Sequence, residues 1–112
     1  MNDKEFIENL KKEILNEAYN YYFDSLKKSL NGTDKSWLGS KELYNSLDDK
    51  QKERLKSFIR LVMIDTISSI LGKLDNISSF SNQKGLFELR LNDKVISGDL
   101  QDIFLEQMEN EN

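Results

Sequence analysis

Between Phe6 and Leu30 an apolar residue returns at every fourth position: Phe6, Leu10, Ile14, Ala18, Tyr22, Leu26 and Leu30. A recurrence of that length argues for one face of a long helix rather than for strands, whose side chains alternate every second residue. Ile7, Leu15, Tyr19 and Phe23 widen the stripe. Because a spacing of four exceeds the ~3.6 residues of an α-helical turn, the stripe drifts round the helix and is expected to wrap and meet more than one neighbour. Asn2 or Asp3 can cap its start, and Glu5 suits the positive end of the dipole. Asn31-Gly32 supplies a stop, with Gly32 free to take the left-handed cap conformation. The chain has no proline, where average usage would give about five or six. Long uninterrupted helices are therefore compatible with it throughout.

The remaining pattern is also helical, with one interruption. Thr33 to Ser40 reads as a connector anchored by Trp37-Leu38, followed by a short helix from Gly39 or Ser40 to Leu47. Ser46-Leu-Asp-Asp49 has the spacing of a capping box with Asp in the Glu position. It introduces a third helix from about Asp48 to Leu74. Leu55, Phe58, Ile59, Val62, Thr66, Ile70 and Lys73 trace one face of it, and Leu61, Met63, Ile64, Ile67, Leu71 and Leu74 fill most of the rest. A helix apolar nearly all round is expected to be the central one, covered on several sides, while its basic first half stays exposed. Asp75 to Lys84 is a Ser/Asn loop without periodicity, expected to be mobile. Leu86 to Leu91 alternates, with Phe87, Leu89 and Leu91 on one face. Asn92-Asp-Lys94 reads as a turn and Val95-Ile96 as a short return strand. Two strands alone are marginal in water, so this hairpin must lie against helices or be completed by another chain. Beyond Gly98, Asp99 caps a last helix whose buried stripe is Leu100, Ile103, Phe104 and Met108.

The expectation is a single domain over residues 1–112, mainly α (α+β): an antiparallel helical bundle with one small β-hairpin near 86–96 and a C-terminal helix. A chain of 112 residues is enough for one core. It contains neither Cys nor His. Disulfides, thiolate metal sites and nucleophilic catalysis by a Ser-His or Cys-His pair are thereby excluded. No catalytic, metal-binding or cofactor-binding motif stands out, and the chain is read as no enzyme. The polar N-terminus is neither a secretory signal nor an anchor, and the longest strongly apolar stretch, Phe58 to Leu71, is too short and too interrupted to span a bilayer. A cytoplasmic protein without a membrane partner is expected.

The net charge of −4 conceals a polarised chain. Ser25 to Arg60 carries +4, whereas Ser97 to Asn112 carries five acidic groups and no basic one. Two readings fit that last segment. Asp99, Asp102, Glu106 and Glu109 can be the solvated face of a surface helix, with Asp99 and Asp102 favoured by the dipole. They can also be a recognition edge for a basic protein, since no Lys or Arg within the segment neutralises them. Lys50, Lys52, Arg54, Lys56 and Arg60 form the one basic cluster, interleaved with Asp48, Asp49 and Glu53. It reads as an exposed helix face, open to pairing with the acidic C-terminal segment, rather than a phosphate or membrane site. The aromatic run Tyr19-Asn-Tyr21-Tyr22-Phe23, with Trp37 and Tyr44, reads as core packing. A pI near 4.9 argues against nucleic acid as a partner. Asp65, set in the most apolar stretch, is expected to be buried and paired with Arg90, Lys41 or a tyrosine hydroxyl.

Three stretches carry a resemblance. They are Trp37 with Leu43-Tyr44-Asn45-Ser46-Leu47, then Phe58-Ile-Arg60-Leu-Val62-Met-Ile64-Asp65-Thr66, and finally Gly98-Asp-Leu100-Gln-Asp102-Ile-Phe104-Leu105. Together they resemble small bacterial immunity proteins of polymorphic-toxin and contact-dependent growth inhibition systems. The resemblance implies a cytoplasmic protein that binds one cognate toxin domain and occludes its active site, often with an acidic surface facing a basic nuclease. It carries over no specific binding residue. The partner-binding residues expected from the charge pattern are Asp99, Asp102, Glu106 and Glu109. Two other classes remain open. One is a non-catalytic structural or regulatory module that self-associates, through the stripe of the first helix or the hairpin edge, or binds another protein; a homodimer is compatible with it. The other is a carboxylate enzyme centred on Asp65.

Overall fold

The computed structural model describes residues 1–28 and 34–111. The elements run α1 (Asp3–Asn9), a π-helical stretch (Leu10–Asn16), α2 (Glu17–Leu26), α3 (Lys35–Ser46), α4 (Asp49–Leu74), β1 (Arg90–Leu91), β2 (Lys94–Val95) and α5 (Leu100–Glu109). The mainly helical class with one antiparallel hairpin and a C-terminal helix is what the pattern indicated. The expected end of the first helix at Leu30, its Asn31-Gly32 stop and the start of the connector at Thr33 lie outside the described residues.

From Asp3 to Leu26 the backbone never leaves the right-handed helical region, so α1, the π-helical stretch and α2 form one continuous rod. Asn2 caps it, accepting from the Glu5 amide at 2.9 Å. The π-helical turns wind more slowly than α turns, which lets a period-four stripe stay on one side instead of wrapping. That stripe is the second of the two seen in the sequence. Ile7, Leu15 and Phe23 are buried and Tyr19 is half-buried, whereas of the leading stripe Ile14 and Tyr22 are exposed and Leu26 is buried.

Two clusters hold the fold. At one end Ile7 and Leu15 of the rod meet Leu71 of α4 and Leu100, Phe104 and Met108 of α5, with Ile64, Ile67, Leu89 and Ile103 packed around them. At the other end Phe23 and Leu26 meet Tyr44 of α3, flanked by Trp37, Leu55 and Ile59. α3 begins earlier than the sequence suggested. Asp34 accepts from the Ser36 amide at 2.9 Å, so Trp37-Leu38 lies within the helix rather than in a connector. The capping box before α4 is also displaced: Asp48 and Gln51 form it, with reciprocal bonds of 2.8 and 2.9 Å, and not Ser46 and Asp49. Gln completes the box better than Asp because its longer arm reaches back to the cap amide.

α4 spans the residues expected of it but is not covered on all sides. Phe58, Leu61, Val62 and Ile70 are 61%, 53%, 46% and 56% exposed. The buried side of the helix holds Ser68, Leu71 and Gly72. The basic first half is only partly outward: Lys52 and Lys56 are half-buried, while Lys50 and Arg54 are exposed.

The segment after α4 is tied down rather than loose. Asn76 takes the left-handed conformation with φ 63°, and the Ile77 amide returns to the Gly72 carbonyl at 2.9 Å while the Asn76 amide bonds that of Lys73 at 3.2 Å. This is a Schellman cap with Asn in the place usually taken by Gly. The Asn76 side chain then clamps Phe87 from both sides, donating to its carbonyl and accepting from its amide, each at 2.9 Å. Gln83 braces the loop from within, accepting from the Phe80 amide at 3.1 Å and donating to the Gly85 carbonyl at 2.8 Å. The hairpin is shorter than expected, with Arg90 opposite Val95 and Leu91 opposite Lys94. Ile96 donates to the Leu89 carbonyl at 2.8 Å beyond the paired residues. The strand does not extend back to Leu86, because Asn76 takes up the hydrogen bonds of Phe87.

Candidate protein-binding site

α5 lies against both long helices, and its inner face explains why. Leu100, Phe104 and Met108 recur at intervals of four and are all buried. Its approach to α4 is close because small residues line the contact. A methyl group added at Gly72 would lie 2.9 Å from Gln101 Nε2. That amide nitrogen donates to the Ser68 carbonyl at 2.9 Å and the Ser68 hydroxyl at 3.2 Å.

The start of α5 is capped from a distance. Asp99 occupies the cap position, but its side chain accepts no hydrogen bond there. Asp75, only 9% exposed at the end of α4, does this work instead. Its two carboxylate oxygens accept from the amides of Gly98 and Gln101 at 2.6 and 2.7 Å. The carboxylate satisfies amides that a helix leaves without intrahelical partners and lies at the positive end of the dipole. Local pattern could not reveal it, since the cap comes from a residue 26 positions away from Gln101.

Asp99 is thereby left unused by the fold, and it joins Asp102, Glu106 and Glu109 on the outer edge of α5. All four are exposed. Among the described residues none of them forms an ion pair. The helix supplies no basic residue in its last turn, where Glu106 and Glu109 meet the negative end of its dipole. Their position is therefore not one that helix stability selects. The fifth acid of the segment behaves differently: Glu111 bonds Lys11 at 2.8 Å and Arg60 at 3.5 Å, tying the end of α5 to the rod and to α4. The acidic edge is thus four carboxylates on a helix held rigidly from behind, with Leu105 part-exposed among them.

The other candidates fall to the fold. Asp65 is exposed, not buried, and it has no ion-pair partner among the described residues. Its helix turns it outward on the open side of α4. The partners considered for it are engaged elsewhere: Arg90 bonds Glu88 at 2.8 Å, and the buried Lys41 donates its ammonium to the Lys28 carbonyl. The basic cluster is largely spent on aromatic faces. Lys52 lies 5.0 Å from the Tyr44 ring centre, Lys56 5.7 Å from Phe23, and Arg60 5.4 Å from Tyr19. These cation–π contacts leave little of it as a groove for phosphates. The aromatic run divides: Tyr19, Phe23 and Tyr44 pack inside or nearly so, while the exposed Tyr22 stacks on Trp37 at 5.6 Å. Tyr22 and Trp37 also line an apolar hollow of about 530 Å³ between α2, α3 and α4, with Leu43, Leu55, Ile59 and Met63. No helix among the described residues is long and apolar enough to cross a membrane, and no group of three or more metal-ligating side chains occurs among them.

What sequence reasoning missed is an exposed apolar surface. The open side of α4 continues onto the clamped loop, where Ile77 and Phe80 are exposed and Leu86 is 80% exposed. Phe80 and Phe87 stand edge to face at 6.3 Å beside Ile70, and Lys73 holds Phe80 with its ammonium 4.9 Å from the ring. A large apolar surface on an ordered backbone is a mark of a protein contact. The sequence does not match any family model, and no curated protein or solved structure matches it either.

Proposed function

We propose that this chain is a non-catalytic immunity protein that binds a cognate bacterial toxin domain and occludes its active site. The observation that carries this reading is the outer edge of α5: Asp99, Asp102, Glu106 and Glu109 are exposed, unpaired among the described residues and mounted on a helix whose other face is buried. Carboxylates that the fold does not use are suited to lysines and arginines that would otherwise hold a substrate phosphate. Presented on a rigid element, they would raise the rate of encounter with a basic surface and set its register. The protein would act in the cytoplasm, and it would need no cofactor because blocking a site requires only shape and charge.

The test uses the C-terminal domain encoded by the reading frame immediately upstream. Expressed alone, that domain is expected to arrest growth, and co-expression of this chain is expected to restore it. Replacing the four acids together with Asn or Gln is expected to slow association by roughly tenfold or more at low salt and to flatten its salt dependence. Failure to protect would remove the immunity reading. Protection with an unchanged association rate would move the binding surface away from α5.

A further inference from the structure

We infer that the hollow between α2, α3 and α4 is a binding site for a small, uncharged, multi-ring aromatic molecule. The inference is independent of the toxin-neutralising reading, because the hollow belongs to the cluster away from α5 and none of the α5 acids lines it. The two ends of the rod are filled unequally. Between the rod, α4 and α5 the space is closed by Phe104, which has no exposed surface, together with Leu100 and Met108. Between the rod, α3 and α4 no side chain among the described residues takes that place. Phe23 and Leu26 are buried there, but Trp37, Leu55, Ile59 and Met63 remain half-buried round a part-open hollow of about 530 Å³. Ser36, Trp37, Ser40 and Leu43 follow one another along α3 at intervals of one and three, so they share the side of that helix that borders the hollow. None of the four is buried.

The lining selects the ligand. It holds no charged side chain, so an ion placed there would lose its water and gain no counter-charge. One wall is flat, because the rings of Tyr22 and Trp37 stack at 5.6 Å with their planes 18° apart. Such a wall favours a planar ring that can lie along it. Across from it α4 offers the aliphatic side chains of Leu55 and Ile59 and the thioether of Met63, which packs well against aromatic edges. A polar handle is also present. The Ser40 hydroxyl donates to the Ser36 carbonyl at 2.7 Å, which leaves its oxygen able to accept an N–H or O–H from the ligand.

Size points the same way. A closed apolar cavity of ~150 Å³ holds a single benzene ring, so a hollow of about 530 Å³ has room for more than one. The volume lies within the range of roughly 300–1,000 Å³ usual for small-molecule sites. Water in the hollow meets mostly carbon, and its displacement by an apolar ring is favourable. The ligand would also complete the fold at this end. Tyr44 holds α3 to the rod through Phe23, their ring centres 6.2 Å apart, and a ring in the hollow would touch α2, α3 and α4 together. Because it would bind the folded chain alone, the thermal midpoint should rise with its concentration.

Trp37 is the only tryptophan of the chain and lines the hollow, so its fluorescence reports on occupancy. The probe is N-phenylnaphthylamine, a neutral multi-ring amine that brightens on leaving water; anilinonaphthalenesulfonate supplies the same skeleton with a negative charge. With the full chain the neutral probe is expected to bind saturably, one per chain, quenching Trp37 by energy transfer with half-saturation at about 1–100 µM. The anion is expected to bind ~10-fold more weakly or worse. Ser40→Phe fills the hollow and Leu43→Asp sets a charge in it, and both change exposed residues, so helicity by circular dichroism should persist. Each is expected to weaken the neutral probe ~10-fold or more, whereas Ile70→Asp on the open part of α4 is expected to leave it unchanged. A wild-type chain that shows no saturable binding overturns the proposal. Equal binding of the two probes overturns the uncharged class, and binding that persists in both Ser40→Phe and Leu43→Asp overturns the site. Should one of these two variants fail to fold, the other decides.

Discussion

Two parts of α4 invert the usual rule. Where it faces α5, Ser68 and Gly72 are buried with Leu71; Phe58, Leu61 and Val62 in the earlier turns, and Ile70 across the helix, stand in the open. Hydrophobicity alone would have reversed the orientation. The difference lies in what each neighbour demands. α5 comes close enough that Gln101 fills the space above Gly72 and bonds Ser68, and only small residues permit that approach. The open side has no such neighbour among the described residues, and its large side chains suit a contact formed across a wider gap. Burial therefore records which element arrives, and the residue type records how near it comes.

The sharpest way to break this contrast is to truncate one aromatic residue from each environment. Phe104→Ala removes a ring with no exposed surface from the cluster between the rod, α4 and α5. It is expected to cost about 3–5 kcal/mol in urea denaturation. Phe58→Ala, on the open part of α4, is expected to shift stability by no more than about 0.5 kcal/mol. Comparable losses would mean that the open side of α4 is supported by the chain itself.

The next test concerns how α5 is held in place. Asp75→Ala leaves the amides of Gly98 and Gln101 without their acceptor in a largely buried position, with an expected loss of about 2–3 kcal/mol. Asp99→Ala, at the formal cap, is expected to change little, within about 0.5 kcal/mol. The reverse order would return the cap to Asp99. Asn76→Ala is expected to cost about 1–2 kcal/mol, since alanine is strained in the left-handed region and the clamp on Phe87 is lost. Its clearer signature is proteolysis: cleavage between Ile77 and Leu86 should accelerate well before global unfolding.

How far these features could be read in the sequence follows from the range of the interaction. The bounds of α4, the stripe Leu100, Ile103, Phe104 and Met108, and the turn at Asn92 depend on neighbours a few positions away, and the pattern showed them. The rod was recognisable too, but the choice between its two stripes depended on π-helical winding, which no local propensity announces. Asp75 and Asn76 act on residues 11 to 26 positions distant, so they looked like ordinary loop residues. The acidic edge was legible as a set of charges, while the separation of Glu111 from the other four required seeing Lys11 and Arg60 beside it. The open face of α4 was misread because a helix apolar all round in a domain this small leaves the covering element unspecified. The chain has too few other elements to cover every side.

The smallest effect is expected at the acidic edge, and its sign separates charges that serve the fold from charges that do not. Asp102 lies in the first turn of α5, where the dipole favours an acid, so Asp102→Asn should be neutral or slightly destabilising. Glu109 lies in the last turn with no basic residue to offset the dipole, and Glu106 stands four positions beyond Asp102 with like charge. Glu109→Gln and Glu106→Gln are therefore expected to stabilise the chain, each by a few tenths of a kcal/mol (~0.3), more at low salt than at high. A gain in thermal midpoint for these two, alongside none for Asp102→Asn, would mean that the chain keeps Glu106 and Glu109 against its own stability. Such a cost is expected of a recognition edge and has no explanation in a merely solvated face. A loss of stability on either Gln substitution would instead assign the glutamates to the fold and weaken the case for α5 as the surface that meets a basic partner.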